Sequence, residues 1–298
     1  MIYTVTLNPA IDYVMRADSI VLGRTNRSRT EELHFGGKGI NVSLVLRELG
    51  EETTALGFVG GFTGEYLENG LKSLGINTDL VHIEGGITRI NVKLKSGDET
   101  EINAKGPTVT EGELDALLAK LDTIKSGDTL VLAGSVPSSL PADIYEKMMK
   151  SLEGRGVRIA VDAEGALLLN TLKYRPFLIK PNNFELSQIV GRELESDADI
   201  ESAARELQKM GAVNVLISLG GDGAMLIDEH GNAHRAKAPK ITPVDTVGAG
   251  DSMVAGFLAG AKNGYEHALK LGISAGSATA ASVGLAKKED VFGLFETI

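Results

Sequence analysis

The stretch "DIESAARELQKMGAVNVLISLGG" (199–221) sets a helix directly against a strand. In its first half apolar residues recur at helical spacing, and the run stops on Gly211, the residue type expected just past a helix. The second half, "VNVLISLGG" (213–221), is apolar on consecutive positions and rich in β-branched residues, which suits a strand covered on both faces. "FLIKPN" (177–182) reads the same way, so strand, helix and strand follow one another. Working outward, "IYTVTLN" (2–8), "TLVLAGS" (129–135) and "RIAVDA" (158–163) read as further strands. "GINVSLVLRELG", "TGEYLENGLKSLG", "EGELDALLAKLDTI" and "SLPADIYEKMMKSLEGRG" have helical periodicity, and most end on glycine. Such alternation implies an α/β chain with a mainly parallel central sheet flanked by helices.

Two segments break the rhythm, at about 12–35 and 87–107. Both read as strands without intervening helix, and "TRINVKLKSGDETEIN" reads as a hairpin turning at Ser96-Gly97-Asp98. They are expected to form a small antiparallel β lid over the carboxyl edge of the main sheet. With no internal repeat and no linker, residues 1–298 are expected to form a single domain with that lid.

Composition narrows the function. The chain has 298 residues, 43% hydrophobic and 23% charged, with a formal net charge of −10. An acidic surface argues against nucleic acid and anionic membrane as partners, and an anionic substrate must be held by local cations. There is no cysteine, which excludes disulfides, thiol catalysis and zinc–thiolate sites. "MIYTVTLNPAID" reads as a strand rather than a signal peptide, and no apolar run is long enough to cross a bilayer, so a cytoplasmic enzyme is expected.

In open parallel sheets ligands bind beyond the carboxyl ends of strands. Here those ends run into "NPAID", "GSVPSS", "DAEG", "KPNNFE" and "SLGGDGA". Two glycine clusters add to them. "FGGKGINVSLVLRELG" (35–50) lacks the spacing of a P-loop, and neither cluster shows the dinucleotide fingerprint. "VDTVGAGDSMVAGFLAG" (244–260) puts small residues and a carboxylate where a helix begins, a place that favours either the carboxylate or a bound phosphate.

Taken together these motifs resemble the PfkB, or ribokinase-like, sugar kinases. Gly36-Gly37-Lys38-Gly39-x-Asn41-x-Ser43, followed by Gly50 and Gly60, is similar to the family's first signature, and Asp245-Thr246-x-Gly248-Ala249-Gly250-Asp251 to its second. "KPNNFE" matches its Asn-x-x-Glu element at Asn182 and Glu185. The motifs stand in family order, and the resemblance covers essentially the whole chain. It implies a ribokinase-like fold that binds ATP with the terminal phosphate at the N–H groups of Gly248, Ala249 and Gly250. Asp251 is then the general base, expected to be a weak one so near a helix N-terminus. Asn182 and Glu185 would organise Mg²⁺ through water, and Ser218, Gly220 and Gly223 would line the nucleotide loop. "ISAGSATAASVGLA" (273–286) would wall the adenine.

For the acceptor the resemblance assigns sugar hydroxyls to Asp12, Gly37 and Asn41. Lys38 and Arg89 are expected to close on a phosphate from two sides, with Ser135 in reach. Within the family, "GGKGINVS", "TRINVK", "ETEIN" and "AGSVPSSLP" are most similar to the branch that phosphorylates fructose 1-phosphate at its C6 hydroxyl. The alternative is the branch that takes tagatose 6-phosphate to tagatose 1,6-bisphosphate. Ala104-Lys105-Gly106-Pro107 departs from the family's usual Gly-Pro-Gly-Pro, leaving Lys105 as either a lid cation or a solvated one. A homodimer through the lid is expected to cover its exposed strands.

Overall fold

The computed structural model describes residues 1–298, the side chain of Asp98 excepted. Strand β1 (Ile2–Thr6) leads into the first lid hairpin, β2 (Ala10–Arg16) and β3 (Thr30–Gly36). The chain then returns to the body through α1 (Lys38–Glu48), β4 (Thr53–Gly60), α2 (Gly61–Ser73), β5 (Asn77–Thr78) and β6 (Val81–Ile83). A second lid hairpin follows, β7 (Arg89–Ser96) and β8 (Asp98–Ile102). Next come α3 (Glu111–Lys120), β9 (Thr129–Ala133), α4 (Ile144–Ser151), β10 (Arg158–Asp162), α5 (Gly165–Leu169) and β11 (Leu178–Ile179). Beyond them lie α6 (Asn183–Val190), α7 (Asp197–Met210), β12 (Asn214–Ser218), β13 (Ala224–Ile227) and β14 (Ala233–Ala236). The chain closes with α8 (Ala249–Gly260), α9 (Tyr265–Ala280) and α10 (Lys288–Phe295).

The main sheet runs in the order β14-β13-β12-β11-β10-β9-β1-β4-β5, with β6 also beside β4. It is parallel from β12 to β5, while β13 and β14 are antiparallel additions at one edge. Consecutive residues along a strand serve opposite cores. On β9, Leu130 and Leu132 join the core under α3 to α7, whereas Val131 and Ala133 join the one under α1 and α8 to α10. Each fully buried leucine contributes roughly 1.5–3 kcal/mol, and strands buried on both faces explain the unbroken apolar runs in the sequence. α4 begins later than "SLPADIYEKMMKSLEGRG" suggests. Pro141 disfavours helix at Leu140, and turn bonds from Leu140 N to Pro137 O and from Ile144 N to Pro141 O precede the helix.

The second sheet has the order β3-β2-β7-β8. Both hairpins are antiparallel, but the pair joining them, β2 with β7, is parallel, with Asp12 opposite Asn91. The second hairpin turns on Gly97, which has φ of +76° and lies between the paired Ser96 and Asp98. No helix is long and apolar enough to cross a membrane among the described residues.

Candidate active site

The carboxyl ends of β1, β9, β10, β11 and β12 open into one cleft of about 750 Å³, roofed by β2 and β7 of the lid. Asp12, Gly37, Lys38, Asn41, Arg89, Ser135, Asn182, Glu185, Ser218, Gly248, Gly250 and Asp251 all line it. Among the residues given a catalytic or binding role in the sequence, three lie elsewhere. Gly220 faces an adjoining pocket that shares Asn182 and Ser218 with the cleft. Gly223, at φ +95°, packs against β14, where an added Cβ would lie 2.2 Å from Ala236 O. It shapes the hairpin between β12 and β13 rather than the cleft. Ala249 does not line the cleft.

That last departure changes the expected set of phosphate donors. Ala249 N–H donates to Thr246 O at 3.2 Å. Among the described residues the amides of Gly248, Gly250 and Asp251 donate to nothing. Gly248 caps α8 at φ +79°, a conformation that costs glycine little and other residues more. Free amides at the start of a buried helix make a ready anion site. The ammonium of Lys180 lies close to Gly250: an added Cβ there would sit 3.1 Å from its Nζ.

Asp251 is 6% exposed and its Oδ2 accepts a 2.8 Å hydrogen bond from Asn41 Nδ2. Asn41, on the first turn of α1, therefore orients the carboxylate. Burial first, then the nearby Asp162 carboxylate, raises the pKa of Asp251 to about 7, against the opposing pull of Asn41, Lys38 and Lys180. Desolvation and a like charge thus act in the direction opposite to the lowering that a helix N-terminus favours.

Asp162 and Lys180 are the residues that sequence reasoning missed. Both are buried at strand ends on the cleft floor, with Lys180 Nζ 3.4 Å from Asp162 Oδ1. Lys38 Nζ lies 3.7 Å from Asp162 Oδ2 and 3.9 Å from Glu164 Oε1, both long contacts. Burial acts against its charge, yet Asp162, Asp251, Glu164 and Glu185 together hold its pKa above the ordinary lysine value. Arg89 is placed differently. Its Nε donates to Asn8 O and its NH1 to Ala104 O, and no carboxylate forms an ion pair with it among the described residues. Burial lowers its pKa, with Asp12 opposing. Asp12 is held by Asn91 Nδ2 at 2.8 Å.

Asn182 and Glu185 form a reciprocal capping box on α6, Glu185 N–H to Asn182 Oδ1 at 2.8 Å and Asn182 N–H to Glu185 Oε2 at 2.9 Å. The box leaves Asn182 Nδ2 and Glu185 Oε1 uncommitted at the cleft. Five carboxylates line the cleft (Asp12, Asp162, Glu164, Glu185, Asp251) against three cations (Lys38, Arg89, Lys180). No group of three or more metal-ligating side chains exists among the described residues. Asp162 Oδ2 is buried without a hydrogen-bond partner. This donor set fits a divalent cation that arrives with phosphate oxygens and water, not one caged by protein alone. Of the alanine- and serine-rich stretch, Val283 to Ala286 line a second cavity of about 380 Å³ beneath the lid, which meets the cleft at Asp12, Asn41 and Val247.

Residues 5–290 match the pattern described as pfkB family carbohydrate kinase. The chain belongs to that family. This kinase is 44% identical over 293 residues to a protein of Bacillus subtilis named 1-phosphofructokinase, covering 98% of this chain and 96% of the relative. It is 39% identical over 288 residues to a Bacillus licheniformis protein named D-tagatose-1-phosphate kinase, covering 96% and 94%. Among solved structures, Escherichia coli phosphofructokinase-2 in complex with substrates and products matches at a TM-score of 0.93 and 32% identity, over 99% of this chain and 98% of that one. The fold of this carbohydrate kinase is accordingly ribokinase-like.

Proposed function

We propose that the enzyme transfers the terminal phosphoryl group of ATP to the C6 hydroxyl of fructose 1-phosphate, giving fructose 1,6-bisphosphate and ADP. The observation that carries this reading is the Asp251 carboxylate, buried beside the unpaired amides of Gly248 and Gly250 at the end of the cleft. In the proposed arrangement those amides and Lys180 face the charge that spreads over the transferred group. Asp251 accepts the proton of the attacking hydroxyl. Most of the acceleration comes from such positioning and charge stabilisation. Asn41 aims the base, and Asp12, Asn41 and Gly37 hold the sugar hydroxyls.

Arg89, free of ion pairs among the described residues, and Lys38, whose contacts with Asp162 and Glu164 are long enough to exchange, would hold the C1 phosphate, with Ser135 beside them. Asn182, Ser218 and Gly220 would face the nucleotide. Mg²⁺ would be held on the phosphates by water bound to Glu185 and Asp162, and it supplies charge neutralisation in a cleft whose carboxylates outnumber its cations. A reaction that draws on ATP is read as cytoplasmic. A relative named D-tagatose-1-phosphate kinase favours one second acceptor, tagatose 1-phosphate, in preference to tagatose 6-phosphate. A homodimer through the lid is also proposed, supported by exposed Leu33, Ile90 and Ile102 on its outer face.

A coupled ADP-release assay with fructose 1-phosphate, tagatose 1-phosphate, tagatose 6-phosphate, fructose 6-phosphate and ribose tests the reading. Fructose 1-phosphate is expected to give the highest kcat/KM. Preference for ribose, or for either 6-phosphate, rejects it.

A further inference from the structure

Strand residues two apart point to one face, and towards the body β7 presents Arg89, Asn91, Lys93 and Lys95. Arg89 lines the cleft and Asn91 holds Asp12. Lys93 pairs with Glu101 on the neighbouring lid strand at 3.0 Å. Lys95 instead leaves the lid: its Nζ donates to Asp245 Oδ2 at 2.7 Å, across 150 residues of sequence. Glu99 Oε1 lies 3.2 Å from the same ammonium.

Asp245 is the lead-in to the phosphate turn. Its Oδ1 accepts the N–H of Val247 at 3.0 Å, one residue before Gly248. The N–H groups of Val244 and Asp245 are both anchored on Ala280 O, at the end of α9. One carboxylate oxygen therefore shapes the turn while the other is gripped by the lid. Lys95 and Asp245 side chains are 17% and 23% exposed, so the pair is shielded from much of the solvent that weakens surface ion pairs.

We propose that Lys95 is a positioning residue for phosphoryl transfer: from the lid it fixes Asp245, and through Asp245 the turn at Gly248 to Asp251. The proposal rests on the kinase reaction assigned to that turn. Arg89 and Lys95 stand on one strand about 20 Å apart, so the lid position that suits the acceptor phosphate is also the one that sets the nucleotide's phosphate turn. Acceptor and nucleotide ends of the cleft are thereby coupled through β7.

The test compares Lys95→Met, Lys95→Arg and Asp245→Asn, the last keeping an oxygen for the Val247 N–H. Lys95→Met is expected to lower kcat/KM for ATP about tenfold while the KM for fructose 1-phosphate stays within about twofold of the parent. Lys95→Arg should restore most of the loss. Asp245→Asn should match Lys95→Met, and the double variant should be no worse than either single one. The proposal is overturned by an unchanged kcat/KM for ATP, by a loss confined to the phosphosugar KM, by an arginine variant as poor as methionine, or by additive losses. Turnover by the parent is the separate control on the reaction itself. If the parent transfers nothing, amide hydrogen exchange decides: faster exchange at Val247 to Asp251 in Lys95→Met, with β13 unchanged, supports the latch. Unchanged exchange there rejects it.

Discussion

In the proposed reaction Asp251 would combine two properties that pull against each other, since a carboxylate buried beside phosphate must stay ionised to act as a base. Burial and Asp162 raise its pKa to about 7, so as the proposed base it would be protonated, and would lose that role, as pH falls through this value. The kcat/KM profile should therefore show an acid limb near neutrality. Asp162→Asn removes the like charge while Lys38 and Lys180 remain to favour the ionised form of Asp251, so the limb should move to lower pH. A limb that stays in place would detach Asp162 from the base. Asp251→Asn keeps the shape and the bond to Asn41 but not the basicity, and turnover should drop about 10²–10⁴-fold with ATP binding retained by calorimetry. Arg89→Ala removes a charged donor, worth about 1.5–3 kcal/mol when it meets an anion. It should raise the KM for the phosphosugar about tenfold or more while the KM for ATP changes little. Equal changes in both would make Arg89 a structural residue.

At the scale of the element, α8 delivers the turn and α9 holds α8 in place through close backbone contact. An added Cβ at Gly256 would lie 2.5 Å from Leu271 O and 2.8 Å from Gly272 Cα. At Gly276 it would lie 3.0 Å from Ala249 O, at the first residue of α8. Gly256→Ala must push the helices apart, at a cost of about 1–3 kcal/mol for overpacking, and should lower both Tm and kcat because the turn moves with its helix. Gly112→Ala, on α3 with nothing near the new methyl, is the matched control and should leave both unharmed. A Gly256→Ala protein with parent Tm would contradict the packing account. The same elements show what the sequence could and could not reveal. Buried strands, glycine stops and the turn before Asp251 are local patterns, and they were legible. Asp162 and Lys180 each stand alone at the end of a different strand, so no spacing links them until the sheet sets β10 beside β11. The parallel pairing of β2 with β7 is equally invisible, since a strand does not carry the direction of its partner. The bond from Ala249 N–H to Thr246 O is hidden as well, because a turn motif names the residues but not which amides already have partners.

For the molecule as a whole, the lid is the part left incomplete. Its inner face is mostly polar, with Asp12, Arg89, Asn91, Lys93 and Lys95, while residues at the alternate positions make the outer face apolar: Ile11, Tyr13 and Met15 on β2, Ile90, Val92 and Leu94 on β7, with Leu33 and Ile102 on the flanking strands. Near the body this face is covered, with Ile11 buried and Phe35 against Tyr66 of α2. Farther out Leu33 is 53% exposed and Ile102 59%. A four-stranded sheet projecting from a body gains little core of its own, and an apolar patch of this kind marks an interaction surface. In the proposed homodimer a second copy, offering the same face by two-fold symmetry, would cover it without any new sequence. Light scattering should give the mass of a dimer, and Leu33→Asp with Ile102→Asp should shift it to about half. If the lid stays rigid only when paired, dilution towards the monomer should also weaken phosphosugar binding, because Arg89 and Asn91 ride on the same sheet. A parent protein of monomeric mass at assay concentration, with full activity, would show that the sheet holds its shape unaided.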